Sequence, residues 1–132
     1  MSAMRLLLTL PFLFMLSLSP VFANNTAPSY VELRDAPTIT VDWSKGDTQG
    51  VTLHGSRTLV FENGVKGGKY MLVITQDAHG SRKIILPASV RWTGKTPPTN
   101  PPLLTTTAGR TDYLGFFFNG VTYDVLSLAQ DY

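Results

Sequence analysis

The sequence predicts an all-β chain: a single small antiparallel β-sandwich, or partly open barrel, of about seven strands behind a cleaved signal peptide. Three observations carry that prediction. Strict polar–apolar alternation runs from Thr38 to Trp43 and again from Val121 to Val125. Gly, Asn and Pro separate the apolar segments, and nothing beyond residue 23 repeats with the 3.6-residue period of a capped helix.

The first element is the leader. Met1 to Arg5 carries one positive charge, Leu6 to Leu18 is apolar, and Val21 and Ala23 are small residues at the third and first positions before a break. This is the form of a secretory signal cut after Ala23; the apolar run falls short of the roughly 20 residues that span a bilayer. The expected organisation is a signal peptide at 1–23, a mobile N-terminal segment at 24–37 and a β-sandwich domain at 38–132, with a Pro/Thr-rich loop at 93–112. The expected location is secreted or periplasmic, with no membrane attachment after cleavage. Without a cysteine at the cut there is no lipid anchor.

Taking 23 residues from 132 leaves 109, enough for one core. Arg5 is the one charge lost, so ten basic and nine acidic residues remain, a formal charge of +1. That balance carries no electrostatic footprint for nucleic acid. With no cysteine anywhere, an exported chain must hold itself by apolar burial.

Pro28 and Pro37 flank a short edge strand at Tyr30 to Leu33. Thr38 to Trp43 places Ile39, Val41 and Trp43 on one face, and Val51 and Leu53 resume that face after the loop from Ser44 to Gly50. Thr58 to Phe61 follows and stops at Asn63-Gly64. Tyr70 to Ile74 is five apolar residues without a polar face, which predicts a strand buried on both sides at a sheet centre. Ile84 to Leu86 reads as its hairpin partner across Gly80, and Pro87 sends that second strand to an edge before Val90 and Trp92 resume alternation. Four prolines between Thr93 and Asp112 predict an extended, exposed loop, long enough to carry function. Tyr113 to Phe118 and Val121 to Leu128 form a second hairpin over Asn119-Gly120, the preferred pair for a type I′ turn.

Motifs for chemistry are sparse. His54 and His79 are the only histidines, and with no cysteine they fall short of a zinc ligand set even with Asp77 added, so no metal is expected. No Gly-x-Ser-x-Gly elbow occurs. Gly64 to Lys69 looks like a phosphate loop but precedes a strand, without the helix terminus that would hold the anion. The nine carboxylates offer no recognisable glycosidase pair, and Asp42, Asp77 and Asp124 read as solvent-face or turn residues. No catalytic residue and no cofactor is assigned. Trp43, Trp92, Tyr113 and Tyr123 fit the core better than a sugar platform. The Phe116-Phe117-Phe118 run must turn one ring away from its neighbours, so the expected contact surface is Phe116 and Phe118, with Leu103 and Leu104 from the proline loop.

Several blocks in order resemble a known module: Val41-Asp42-Trp43-Ser44-Lys45-Gly46; Thr75-Gln76-Asp77 with Gly80-Ser81-Arg82; Pro87-Ala88-Ser89-Val90-Arg91-Trp92; Thr105-Thr106-Thr107-Ala108-Gly109; and Phe117-Phe118-Asn119-Gly120. Together they are similar to a small β module of tailed-bacteriophage tail-fibre and other virion structural proteins, and of related bacterial exported proteins. The resemblance runs from about Thr38 to Tyr123. It implies a non-enzymatic structural or adhesive module whose motif residues are architectural. It also implies a partner that is another copy of the chain, in a trimer, or a surface glycan or protein. The leader and the added length at Asn100-Pro101-Pro102-Leu103 fit an exported copy. The alternative is a small exported glycan-active enzyme or a carbohydrate-binding protein.

Overall fold

The computed structural model describes residues 29–92 and 103–132. The expected signal peptide at 1–23, residues 24–28, and residues 93–102 of the proline loop lie outside them. The described residues are all-β, with nine strands: β1 (Tyr30–Glu32), β2 (Thr38–Asp42), β3 (Thr48–Leu53), β4 (Arg57–Glu62), β5 (Lys69–Gln76), β6 (Ile84–Ile85), β7 (Val90–Arg91), β8 (Thr111–Phe118) and β9 (Tyr123–Ala129). They form a six-stranded sheet, β1-β3-β5-β8-β9-β7, and a three-stranded sheet, β2-β4-β6.

From β1 to β6 successive strands alternate between the two sheets, so the chain winds as three coils. The coils stack in parallel, β1 on β3 on β5 in the large sheet and β2 on β4 on β6 in the small one. β8 and β9 close the coil with antiparallel pairing, and β7 joins β9 in parallel. The expected antiparallel sandwich is therefore corrected to a mixed six-stranded sheet and a parallel three-stranded one, with nine strands in place of about seven. Parallel neighbours need a crossover, usually a helix. Here the crossover is the strand lying in the opposite sheet, which short loops can reach.

The segment from Lys69 to Trp92 shows what this changes. Its two apolar runs do not pair with each other: β5 lies between β3 and β8, whereas β6 crosses to the small sheet and pairs with β4. Gly80 and Ser81, at φ +66° and +60°, redirect the chain between them. β5 holds its expected central place, but it buries one face. Tyr70, Leu72, Ile74 and Gln76 point inward, while Met71, Val73 and Thr75 stay half-buried on the outside.

The core lies between the sheets. One inward rung runs Val31, Gln49, Leu72, Leu114, Leu128 across five strands. At one end, Phe61 of the small sheet meets Trp43, Phe116 and Tyr123 edge-on at 5.3, 5.3 and 5.1 Å. Trp43 reaches this cluster from a single 3-10 turn at Trp43–Lys45, because Asp42 ends its strand by accepting the Ser44 N–H at 3.0 Å. The N-terminal segment already belongs to the fold at β1, and Arg57 grips Asp35 through two hydrogen bonds of 2.8 and 2.6 Å.

The β8–β9 hairpin is present, with a different loop. Phe118 pairs with Tyr123, so Asn119 to Thr122 form the connection, and of these only Gly120 has positive φ. A type I′ turn would need it at Asn119 as well. Instead the Asn119 side chain accepts the Val121 and Thr122 N–H groups, each at 2.9 Å, which leaves Val121 in solvent.

Candidate functional site: the outer face of the large sheet

Phe116 is 1% exposed and opposite Tyr70, so it belongs to the core and leaves the expected contact surface. Phe118 stacks on Tyr123 at 4.4 Å and likewise packs inward. Phe117 is the ring that faces out. The buried Asp112, which accepts the Thr105 and Asp131 N–H groups, lies on the same inward face of the strand. Leu103 is 91% exposed, and Leu104 packs against the core. These two border a small cleft of about 210 Å³ with Ile84, Leu86 and Lys83.

The outward residues of the large sheet form two further rungs: Tyr30, Thr48, Met71, Gly115, Ser127, and Glu32, Gly50, Val73, Tyr113, Ala129. Past Glu32 these two rungs are uncharged, and Lys69 stands beside them at the start of β5. Three tyrosines stand on it. Tyr30 and Tyr113 rise from the strands, and Tyr132 returns to them by exchanging backbone hydrogen bonds with Thr111 at 2.8 and 3.1 Å. The Tyr113 and Tyr132 rings meet edge-on at 5.7 Å.

Gly50 makes the arrangement possible. A Cβ there would fall 2.1 Å from the Tyr30 hydroxyl, so the phenol tip lies across bare backbone. Tyr30 is 53% exposed, yet its hydroxyl end lies against Gly50. Burial first, then the Glu32 carboxylate and Tyr113, hold the Tyr30 phenol above its ordinary pKa. Gly115 leaves a shallow hollow beside Met71 and Ser127. The surface offers flat aromatic faces, hydroxyls and one carboxylate without a strong charge.

Sequence reading named Tyr113 among possible platform residues and placed it in the core; it is 37% exposed. Trp43 and Tyr123 are buried as expected. Tyr30 was missed, although its i, i+2 spacing to Glu32 against Val31 and Leu33 was a readable alternation. Nothing in the sequence marks Tyr132.

The carboxylates are largely committed elsewhere. Asp77 accepts from Arg82 at 2.9 Å and from the N–H groups of His79 and Gly80, which hold it down at about 2. His54 Nδ1 lies 3.5 Å from the same carboxylate, its ring mostly in solvent. The Arg57 and Arg91 guanidiniums likewise hold Asp35 and Asp124 below the usual carboxylate range. Ser44 and Asn63 do so for Asp42. Among the described residues no three His or acidic groups cluster as a metal site. The glycine-rich loop is structural: Gly64 N–H donates to the Tyr123 hydroxyl at 3.0 Å and Val65 N–H to that of Tyr70 at 2.8 Å. No helix among the described residues is long and apolar enough to cross a membrane.

No protein-family model matches the chain, and no curated protein matches it.

Proposed function

We propose that the chain is an exported, non-enzymatic adhesive module, similar to the tail-fibre β module, that binds a surface glycan on the outer face of its large sheet. The row of Tyr30, Tyr113 and Tyr132 on rungs whose one charge is Glu32 carries the reading. Aromatic faces stack on the apolar faces of sugar rings, and the flanking threonine, serine and Glu32 groups supply hydrogen bonds. The non-enzymatic part is supported by Asp35, Asp77 and Asp124, each bound to a guanidinium and so unavailable as a general acid. Export to the periplasm or medium rests on the leader-like composition of residues 1–23.

A glycan array probed with the wild-type protein and with a Tyr30→Ala/Tyr113→Ala variant tests this. The expected result is a defined set of oligosaccharides bound by the wild type and lost in the variant, with unchanged thermal stability. Equal binding by both proteins would sink the assignment of the face, and hydrolysis of a bound glycan would sink the non-enzymatic reading.

A further inference from the structure

The four sheet edges are unequal. β1 has three residues, and β6 and β7 have two each, the short edges that natural sheets use to avoid pairing with other chains. β2 has five, with Thr38 and Thr40 exposed and no lysine, proline or bulge inside it. Among the described residues nothing pairs with its outer edge. Its free groups follow from the ladder. The Pro37 carbonyl accepts the Thr58 N–H at 3.0 Å, and bonding in a parallel pair alternates. Residues 37, 39 and 41 therefore face β4, and Thr38, Thr40 and Asp42 turn their backbone groups to the open edge. The Asp42 carbonyl is already taken by Gln49 Nε2 at 2.6 Å, which leaves Thr38 and Thr40.

Beside this edge a cleft of about 330 Å³ separates β2 from β1, the edge of the other sheet on the same side of the molecule. Its charged border is Glu32, Arg34, Asp42 and Lys45, two acids and two bases. A patch that is neutral in this way suits a contact with itself better than a partner of one charge sign.

We propose that a second copy of this chain docks here, β2 against β2 in antiparallel orientation about a two-fold axis centred on Ile39. In that register Thr38 of each copy faces Thr40 of the other. Each pair exchanges two backbone hydrogen bonds, so all four free N–H groups and carbonyls of the two edges are satisfied. The small sheets merge into one of six strands, and the mouths of the two clefts close on each other. This surface shares only Glu32 with the tyrosine face, and the inference stands without the glycan reading.

The test uses two variants, Thr38→Lys/Thr40→Lys and Thr38→Glu/Thr40→Glu, whose changed side chains lie in solvent. Sedimentation equilibrium is expected to give a wild-type dimer. Each variant alone is expected to lose at least about tenfold in dimer affinity, because like charges then sit opposite each other. Mixed in equal amounts, the two should recover a heterodimer. Tyr113→Ala should dimerise as the wild type does. A wild-type monomer, a trimer, variants that dimerise unimpaired, or a mixture that does not recover pairing would each overturn the proposal. So would a monomer that takes up an extended peptide at this edge.

Discussion

The Gln76 side-chain amide and the Arg82 backbone form a closed pair: Nε2 donates to the Arg82 carbonyl at 2.8 Å, and Oε1 accepts the Arg82 N–H at 2.9 Å. The inward-pointing amide pairs with the Arg82 backbone as a strand would, holding the chain where it crosses to the other sheet. Nε2 also donates to the Thr105 carbonyl at 3.1 Å. Ser81 N–H donates to the Thr106 carbonyl at 2.6 Å, and Gly109 N–H to that of Asp77 at 3.1 Å. The turn after β5 and the segment before β8 are thus one interlocked end of the molecule.

Gln76 is 2% exposed, so removing its amide leaves backbone groups unsatisfied in a dry site. Gln76→Ala is expected to lower unfolding free energy by about 3 kcal/mol in urea titrations, each orphaned buried group costing about 1–3 kcal/mol. A loss below about 0.5 kcal/mol would mean that water replaces the clamp.

Gly80 sits at φ +66°, and a Cβ there would meet the Thr106 carbonyl at 2.5 Å. Gly80→Ala therefore combines backbone strain with a contact that only movement of the interlocked segment relieves. A drop of several degrees in Tm is expected, against almost none for Ser81→Ala, whose side chain is exposed.

Acid should loosen the molecule at a definable point. Arg82 and two backbone N–H groups hold Asp77 down at about 2, from an ordinary 3.8, so its folded pKa is depressed. Its contribution is complete above about pH 4 and disappears as pH falls through 2. The lowered Asp35, Asp42 and Asp124 act in the same direction. Denaturant midpoints measured from pH 6 down to pH 2 should fall steeply below pH 4, and Asp77→Asn should flatten part of that slope.

The phenylalanine run separates core from surface by adjacent positions. Phe116→Ala opens a cavity among Phe61, Tyr70 and the inner strands and should cost about 3–5 kcal/mol. Leu103→Ala should stay within about 0.5 kcal/mol, as expected for a solvated side chain. Equal effects at the two sites would contradict the placement of Phe116 in the core and Leu103 in solvent.

Where the sequence alternates cleanly, as in β2 and β4, strand position and buried face were both legible. Pairing was not, because alternation and turn residues describe one strand at a time, while the choice between hairpin and crossover lies in Gly80, Ser81 and the Gln76 amide. In β8 the uninterrupted apolar run gave no parity, so the Phe116 and Phe118 assignment rested on nothing local. The candidate site was not legible: the alternating pattern puts Tyr113 in the core, and Tyr30 and Tyr132 join it through sheet order and a backbone pairing that no local pattern encodes.

The most direct measurement is amide chemical-shift mapping of the wild-type protein titrated with an oligosaccharide bound on the array. Perturbations are expected along the outward residues of β1, β3, β5 and β8, centred on Tyr30, Gly50 and Tyr113. Perturbations confined to Leu103, Leu104 and Ile84, or shifts absent altogether from the large sheet, would contradict it.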